Sequence, residues 1–205
     1  MPVHIEPATD LFPHTIIIVS GVCSENDVMR GEETILAGCD IDRSAQKQLF
    51  IFPGTHSKHI IVQDGSITGI KTYMVGELFD LLSSKSILSG SVEKHDTILS
   101  STNAFLKGVM DASTYSFLNA VFHVRTNDLF KTQDKKSNYA YLSGLLIGEE
   151  LKSLQAEAIP VTIVSSGNLS SLYETALSYQ QHTFSVMDAD KALIKAQTII
   201  VNHYQ

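Results

Sequence analysis

"IFPGTHSKHIIVQDGSITGIKTYMVGEL" runs from Ile51 to Leu78, and its punctuation decides the fold. Residues 48–52, QLFIF, predict a strand. Pro53 to Ser57 interrupts it with turn formers, and 58–63, KHIIVQ, returns as a second strand. Asp64-Gly65 is a two-residue hairpin signal, because a type I′ turn needs positive φ at both positions. Residues 66–75, SITGIKTYMV, form the third strand, so 48–75 predicts an antiparallel meander. Gly76 then opens a helix over ELFDLLSSKSIL. The first turn is short, rich in hydroxyls and followed by Lys58. Free backbone N–H groups around Gly54, the hydroxyls of Thr55 and Ser57 and one ammonium suit an anion, phosphate above all. A plain connecting turn fits the same residues. GxxxxGK[ST] is absent, so this is not a P-loop.

Upstream, residues 1–14 hold three of the five prolines and predict an extended lead-in. TIIIVS (15–20) is a β-branched run that predicts a buried strand. After the loop GVCSEND, residues 27–38 predict a helix. Val28 with Ile35 and Met29 with Leu36 recur seven apart, Asn26 or Asp27 can cap its start, and Gly38 can end it. Downstream, residues from about 97 to 156 are helical in pattern, interrupted by the polar linker KTQDKKSN (131–138). IPVTIVSSG (159–167) is a strand running into a glycine loop, followed by the helix NLSSLYETALSYQ. HTFSVM is a further strand, and DADKALIKAQTIIVNHY a closing helix capped by Asp188. The order predicts an α/β fold with a mixed sheet and helices on its faces. Nucleotide or sugar chemistry is then expected at the loops leaving the strands.

The chain has 205 residues, room for one large domain or two small ones, and 43% of them are hydrophobic, enough for a core. A formal charge of −7 argues against a nucleic-acid binder, which needs a basic face. It leaves room for a small anionic substrate held by one or two local cations. The two cysteines, Cys23 and Cys39, form no CxxC pair and read as reduced thiols of a cytoplasmic protein. No apolar run approaches the roughly 20 residues that span a bilayer, and the N-terminus lacks the order of a signal peptide.

Three further stretches carry candidate chemistry. SENDVMRGEE (24–33) packs four carboxylates and one arginine into ten residues. Asp27 could take a proton from a hydroxyl and Arg30 could fork onto a carboxylate, or the stretch is a solvated helix start. TIVSSGNLSSLYETAL (162–177) places a glycine loop before a helix, where phosphate or ribose could sit, or it is an ordinary tight turn. FHVRTNDLF (122–130) holds Arg125 between apolar flanks, as a substrate contact or a structural ion pair. His56 and His59 lack a third metal ligand nearby. With no GxSxG, a Ser57 or Ser166 nucleophile has little support.

Together, FPGTHSKH, GSITGIKTYMVGELFDLL, SIL, NDVMRGEET and YLSGLLIGEEL closely resemble the 2-dehydro-3-deoxygalactonokinases, over nearly the whole chain from about Ile16. The resemblance implies the sugar kinase, actin and heat-shock ATPase superfamily, with two ribonuclease-H-like lobes and ATP and sugar between them. On that basis 1–47 is a remnant of the N-terminal lobe, and 48–205 is the C-terminal nucleotide-binding lobe with an insert at about 97–156. Gly54, Thr55, His56, Ser57 and Lys58 resemble the second phosphate loop. Ser165, Ser166, Gly167 and Asn168 resemble the adenosine motif, with serine at 165 where the family has glycine. Asp27 stands where related carbohydrate kinases carry their catalytic base. Arg30 and Arg125 are implied for the substrate carboxylate, and Glu32 and Glu33 for sugar hydroxyls or water on the metal. The implied reaction moves the ATP γ-phosphoryl group, with Mg²⁺, to 2-dehydro-3-deoxygalactonate in galactonate catabolism.

Family members carry a further stretch with a first phosphate loop, which nothing here matches. The expectation is therefore an incomplete enzyme of very low activity alone, its partner a separate N-terminal lobe or a second copy. The alternative is a non-catalytic nucleotide-binding remnant.

Overall fold

The meander forms because alternate residues of QLFIF feed two different cores. In the computed structural model, which describes residues 3–43, 46–95, 97–156 and 159–204, strand β5 is Gln48–Phe52. Its Leu49 and Ile51 face one side of the sheet, and Phe50 and Phe52 the other, as the period of two requires. Both sides are covered, which explains an unbroken apolar run. Strand β6 (Ser57–Gln63) returns antiparallel to β5. β7 (Ser66–Tyr73) returns in turn through Asp64 and Gly65 at φ 53° and 70°, the positive pair the hairpin predicts. β8 (Val161–Val164) lies parallel to β5 on its other edge, and β9 (Phe184–Met187) parallel to β8. The result is a mixed five-stranded sheet in the order β7-β6-β5-β8-β9.

One face packs on helices α3 (Thr102–Thr114), α6 (Lys135–Leu151) and α7 (Asn168–Tyr179), through Phe105, Val109, Ile147, Leu151, Leu172 and Tyr173. The other packs on α1 (Glu32–Ala37) and α8 (Ala189–Tyr204) through Leu36 and Ala192. α2 (Val75–Ser84), α4 (Phe117–Ala120) and α5 (His123–Leu129) join α3 and α6 in a separate helical core around Tyr141, Leu142 and Leu145.

The N-terminal region departs from expectation in three places. The lead-in is part of a hairpin, in which β1 (Val3–Glu6) pairs antiparallel with β2 (Ile16–Val19); Met1 and Pro2 lie outside the described residues. β2 is a strand but not a buried one, since its Ile16 and Ile18 are 42% and 48% exposed. The helix expected over 27–38 is only its second half. Val28–Met29 is strand β4, paired with β3 (Val22–Cys23). Gly31, at φ 112°, then breaks the chain before α1, and Gly38 ends the helix as expected. Neither Asn26 nor Asp27 is the cap. Within the insert, half of the expected linker 131–138 is helix. Asp134 accepts the Ser137 N–H at 2.9 Å and caps α6, which starts at Lys135. Asp188 caps α8 as predicted, accepting the Lys191 N–H at 2.9 Å.

Candidate active site

Strands β5 and β8 run parallel, so their carboxyl ends open on one side, where α/β folds place ligands. The turn Pro53–His56 leaves β5 and Ser165–Ser166 leaves β8. Between them and the start of α1 lies a cleft of about 840 Å³. Arg30, Glu32, Gly54, Thr55, His56, Lys58, Ser165 and Ser166 line it. Eight of the residues singled out in the sequence therefore converge on one cavity.

The turn is held from behind by α2. The Glu77 N–H donates to the Thr55 carbonyl at 3.1 Å, and His56 Nε2 meets Glu77 Oε2 at 2.6 Å. Gly76 permits this approach, because a Cβ there would lie 2.7 Å from Thr55 Cα and 2.9 Å from the Gly54 carbonyl. Gly54 itself faces open space: a Cβ there would meet nothing within 4 Å. Lys58 is 7% exposed, with Nζ donating to the His56 carbonyl at 3.3 Å and 3.9 Å from Glu32 Oε1. A buried ammonium with such loose partners is a costly arrangement for stability alone, and it suits an incoming anion.

Other predicted residues lie elsewhere. Ser57 is fully buried with its hydroxyl turned inward, donating to Glu150 Oε1 at 2.6 Å, so it does not face the cleft. Glu33 is 2% exposed and accepts the Gly31 N–H at 2.7 Å, fixing the break before α1. Arg125 sits on α5, where Nη1 donates to Ser91 Oγ at 3.0 Å and lies 3.7 Å from Asp128; it serves the helical insert. Gly167, at φ 77°, turns the chain into α7. Asn168 lines a second pocket of about 500 Å³ with Lys94 and Tyr139, and Leu169 lines both pockets. The Ser165 N–H is already committed to the Met187 carbonyl at 3.1 Å.

Asp27 is also outside the cleft lining. Its Oδ2 accepts the Thr72 N–H at 2.7 Å, while Oδ1 accepts the Val28 N–H at 2.9 Å and the Thr72 hydroxyl. Burial pushes its carboxyl up, but the Thr72 hydroxyl and N–H, the Val28 N–H and the Lys58 charge outweigh that and leave it below 3.8. The side chain fastens the β3–β4 hairpin to the edge strand β7. Glu32 is the one carboxylate among the residues lining the cleft. His56 and His59 hold different carboxylates, Glu77 and Glu150. No group of three or more His, Cys, Asp or Glu that could hold a metal ion occurs among the described residues.

Glu150 and Glu77 were not singled out from sequence, where Gly76 reads only as the opening of a helix. A glutamate inside the apolar helix LLIGEEL was the available signal for the first.

A mixed sheet with a cleft at the carboxyl ends of its parallel strands, lined by Arg30, Lys58 and Glu32, defines an α/β protein with its cleft where such folds place ligands. Comparison makes the family particular. The chain belongs to the 2-keto-3-deoxy-galactonokinase family, whose sequence profile matches residues 2–200. It is 38% identical over 172 residues to a Rhizobium meliloti (strain 1021) protein provisionally named 2-dehydro-3-deoxygalactonokinase DgoK1. It is 31% identical over 191 residues to the 2-dehydro-3-deoxygalactonokinase of Escherichia coli (strain K12). These matches take in 82% and 89% of this chain, and the chain spans 56% and 61% of the two relatives' own lengths. A crystal structure from Sinorhizobium meliloti, provisionally described as a 2-dehydro-3-deoxygalactonokinase, superposes with a TM-score of 0.87 at 34% identity. It covers 97% of this chain and 67% of its own.

Proposed function

We propose that this chain works in a carbohydrate kinase that transfers the γ-phosphoryl group of ATP to the terminal hydroxyl of 2-dehydro-3-deoxygalactonate. The observation that carries the reading is the buried Lys58 and the Gly54–His56 turn, set at the end of β5 and facing Ser166 across one cleft. Family membership supplies the substrate class. In this reading 48–205 is the nucleotide-binding lobe, with the insert at about 97–156, and 1–47 belongs to the N-terminal lobe. The sheet order β7-β6-β5-β8-β9, with β6 reversed, supports a ribonuclease-H-like assignment.

Phosphoryl transfer is mostly positioning and charge stabilisation. The turn N–H groups and Lys58 take the β- and γ-phosphates. The loop at 165–168 takes the nucleoside side, with the neighbouring pocket beside Asn168. Arg30 pairs with the substrate carboxylate. Glu32, rather than Asp27, accepts the hydroxyl proton, because it lines the cleft while both Asp27 oxygens are engaged. As the hydroxyl oxygen bonds to the γ-phosphorus, the bond to the β-phosphate oxygen breaks and ADP departs. Mg²⁺ bound with ATP would neutralise charge on the phosphates, and the cleft's own carboxylate beside it would be Glu32.

The test is ADP release with Mg-ATP and 2-dehydro-3-deoxygalactonate. Glu32→Gln should lower kcat about 10²–10⁴-fold, the usual worth of a general base, and Asp27→Asn only a few-fold. The reverse pattern would make Asp27 the base. Mg-ATP binding without substrate-dependent release would favour a nucleotide-binding part that does not itself turn over.

A further inference from the structure

Directly behind the turn, four polar side chains from three elements meet out of solvent. Glu150 on α6 is 2% exposed, Ser57 and His59 on β6 are 0% and 3%, and Tyr173 on α7 is 1%. Glu150 Oε1 accepts from Ser57 Oγ at 2.6 Å and contacts His59 Nε2 at 2.8 Å. Its Oε2 accepts from Tyr173 OH at 2.5 Å. Tyr173 OH also lies 3.4 Å from Ser57 Oγ, and the Tyr73 ring covers His59 at 4.6 Å between centroids. Burial first, then the Glu150 charge, keeps the Tyr173 phenol protonated and so a donor.

The proposed chemistry does not use these groups, and their cost in a buried site is high unless every partner is met. Their placement says what they do. Ser57 and His59 follow the turn at 53–56, and Tyr173 stands on the helix that begins where the loop at 165–168 ends. Resting on the proposed nucleotide site, we infer that Glu150 is a positioning residue that locks the phosphate turn to α7. The two walls of the cleft thereby hold a fixed separation. Ligand contact at one wall is then coupled to order at the other, through a hydrogen-bonded network with one satisfied arrangement.

Glu150→Gln keeps the shape but removes the charge and replaces one acceptor oxygen by an N–H₂ donor, so Ser57, His59 and Tyr173 lose part of the acceptor they share. Tyr173→Phe removes a single hydroxyl and leaves the packing. Amide hydrogen exchange on the unliganded protein, read by segment, tests the coupling without any ligand. In both variants, exchange in 53–59 and in 165–173 should rise together, about tenfold or more, while α3 keeps its protection. Mg-ATP affinity should fall by a similar factor in the two variants. A rise confined to α6, or spread evenly over the chain, would overturn the inference and leave Glu150 merely structural. So would exchange at the turn or Mg-ATP affinity matching wild type. A wild-type protein that bound no Mg-ATP would refute the proposed function, and the exchange pattern would still decide the coupling.

Discussion

Gly54 lies within the turn at 53–56 and Gly76 lies behind it, and the structure gives them opposite surroundings. Gly76 lies against backbone: a methyl group there would sit 2.7 Å from Thr55 Cα and 2.9 Å from the Gly54 carbonyl. Ordinary contact begins near 3.4 Å, so α2 and the turn must part by about 0.5–0.7 Å, and neither atom belongs to a flexible side chain. Overpacking of this kind costs about 1–3 kcal/mol. Alanine returns up to about 1 kcal/mol in helix propensity, less at the first turn of a helix. The net expectation for Gly76→Ala is a loss of about 1–2 kcal/mol. With a urea m-value of about 2 kcal/mol per molar, the unfolding midpoint should fall by about 0.5–1 M.

Gly54→Ala is the matched control. Its methyl would meet nothing within 4 Å and its φ is not in the left-handed region, so the midpoint should stay within about 0.25 M. Its effect should appear in Mg-ATP affinity, where the methyl enters the cleft. Urea titrations followed by circular dichroism, with calorimetry of Mg-ATP binding, read both. A Gly76→Ala protein as stable as wild type, with unchanged affinity, would refute the claim that α2 braces the turn.

Three further outcomes follow from the same geometry. Lys58→Met should lose at least about tenfold in phosphate-ligand affinity yet keep or raise the melting temperature, because a buried, loosely paired ammonium favours function over stability; a melting temperature several degrees lower would show that Lys58 is structural. Asp27 is held below its ordinary value of 3.8 in the folded protein, so its contribution is present above that pH and lost as pH falls through the lower folded value. Asp27→Asn should therefore flatten the acid limb of stability below about pH 4, and an unchanged acid limb by urea melts from pH 2.5 to 6 would contradict the Thr72 clasp. Finally, Cys23 is exposed while Cys39 is buried, and burial pushes the Cys39 thiol up to about 12; a thiol reagent at neutral pH should label Cys23 quickly and Cys39 only on unfolding, and rapid labelling of both would count against the packing of α1.

The sheet was legible because its signals are local. QLFIF, the Asp64-Gly65 turn and the Asp188 cap each specify their own conformation, and the structure has all three. The misread segments share a cause: a sequence pattern that two geometries satisfy. Met29 and Leu36 are both buried, seven apart, but one reaches the core from a strand and the other from a helix beyond Gly31. The isoleucines at 16–18 mark a strand by β-branching, but burial depends on a covering layer that the composition cannot announce. KTQDKKSN is polar on a solvated helix turn as readily as in a linker.

The site divides in the same way. Gly54, Thr55, His56, Lys58, Arg30 and Ser165 could be named from short motifs, and they gather in one cleft. Which way a hydroxyl points could not be read: Ser57 belongs to the turn in sequence but turns inward to a glutamate 93 residues away. Likewise the Asp27 carboxylate is claimed by Thr72, 45 residues on, and only tertiary structure shows it.

The most direct measurement of the central claim is a calorimetric titration of the protein with Mg-ATP and, separately, with AMP. If the turn and Lys58 hold the β- and γ-phosphates, Mg-ATP should bind at least about tenfold more tightly than AMP, and Lys58→Met should abolish most of that difference. Equal affinities for the two nucleotides, or no binding of Mg-ATP at all, would contradict the assignment of the cleft.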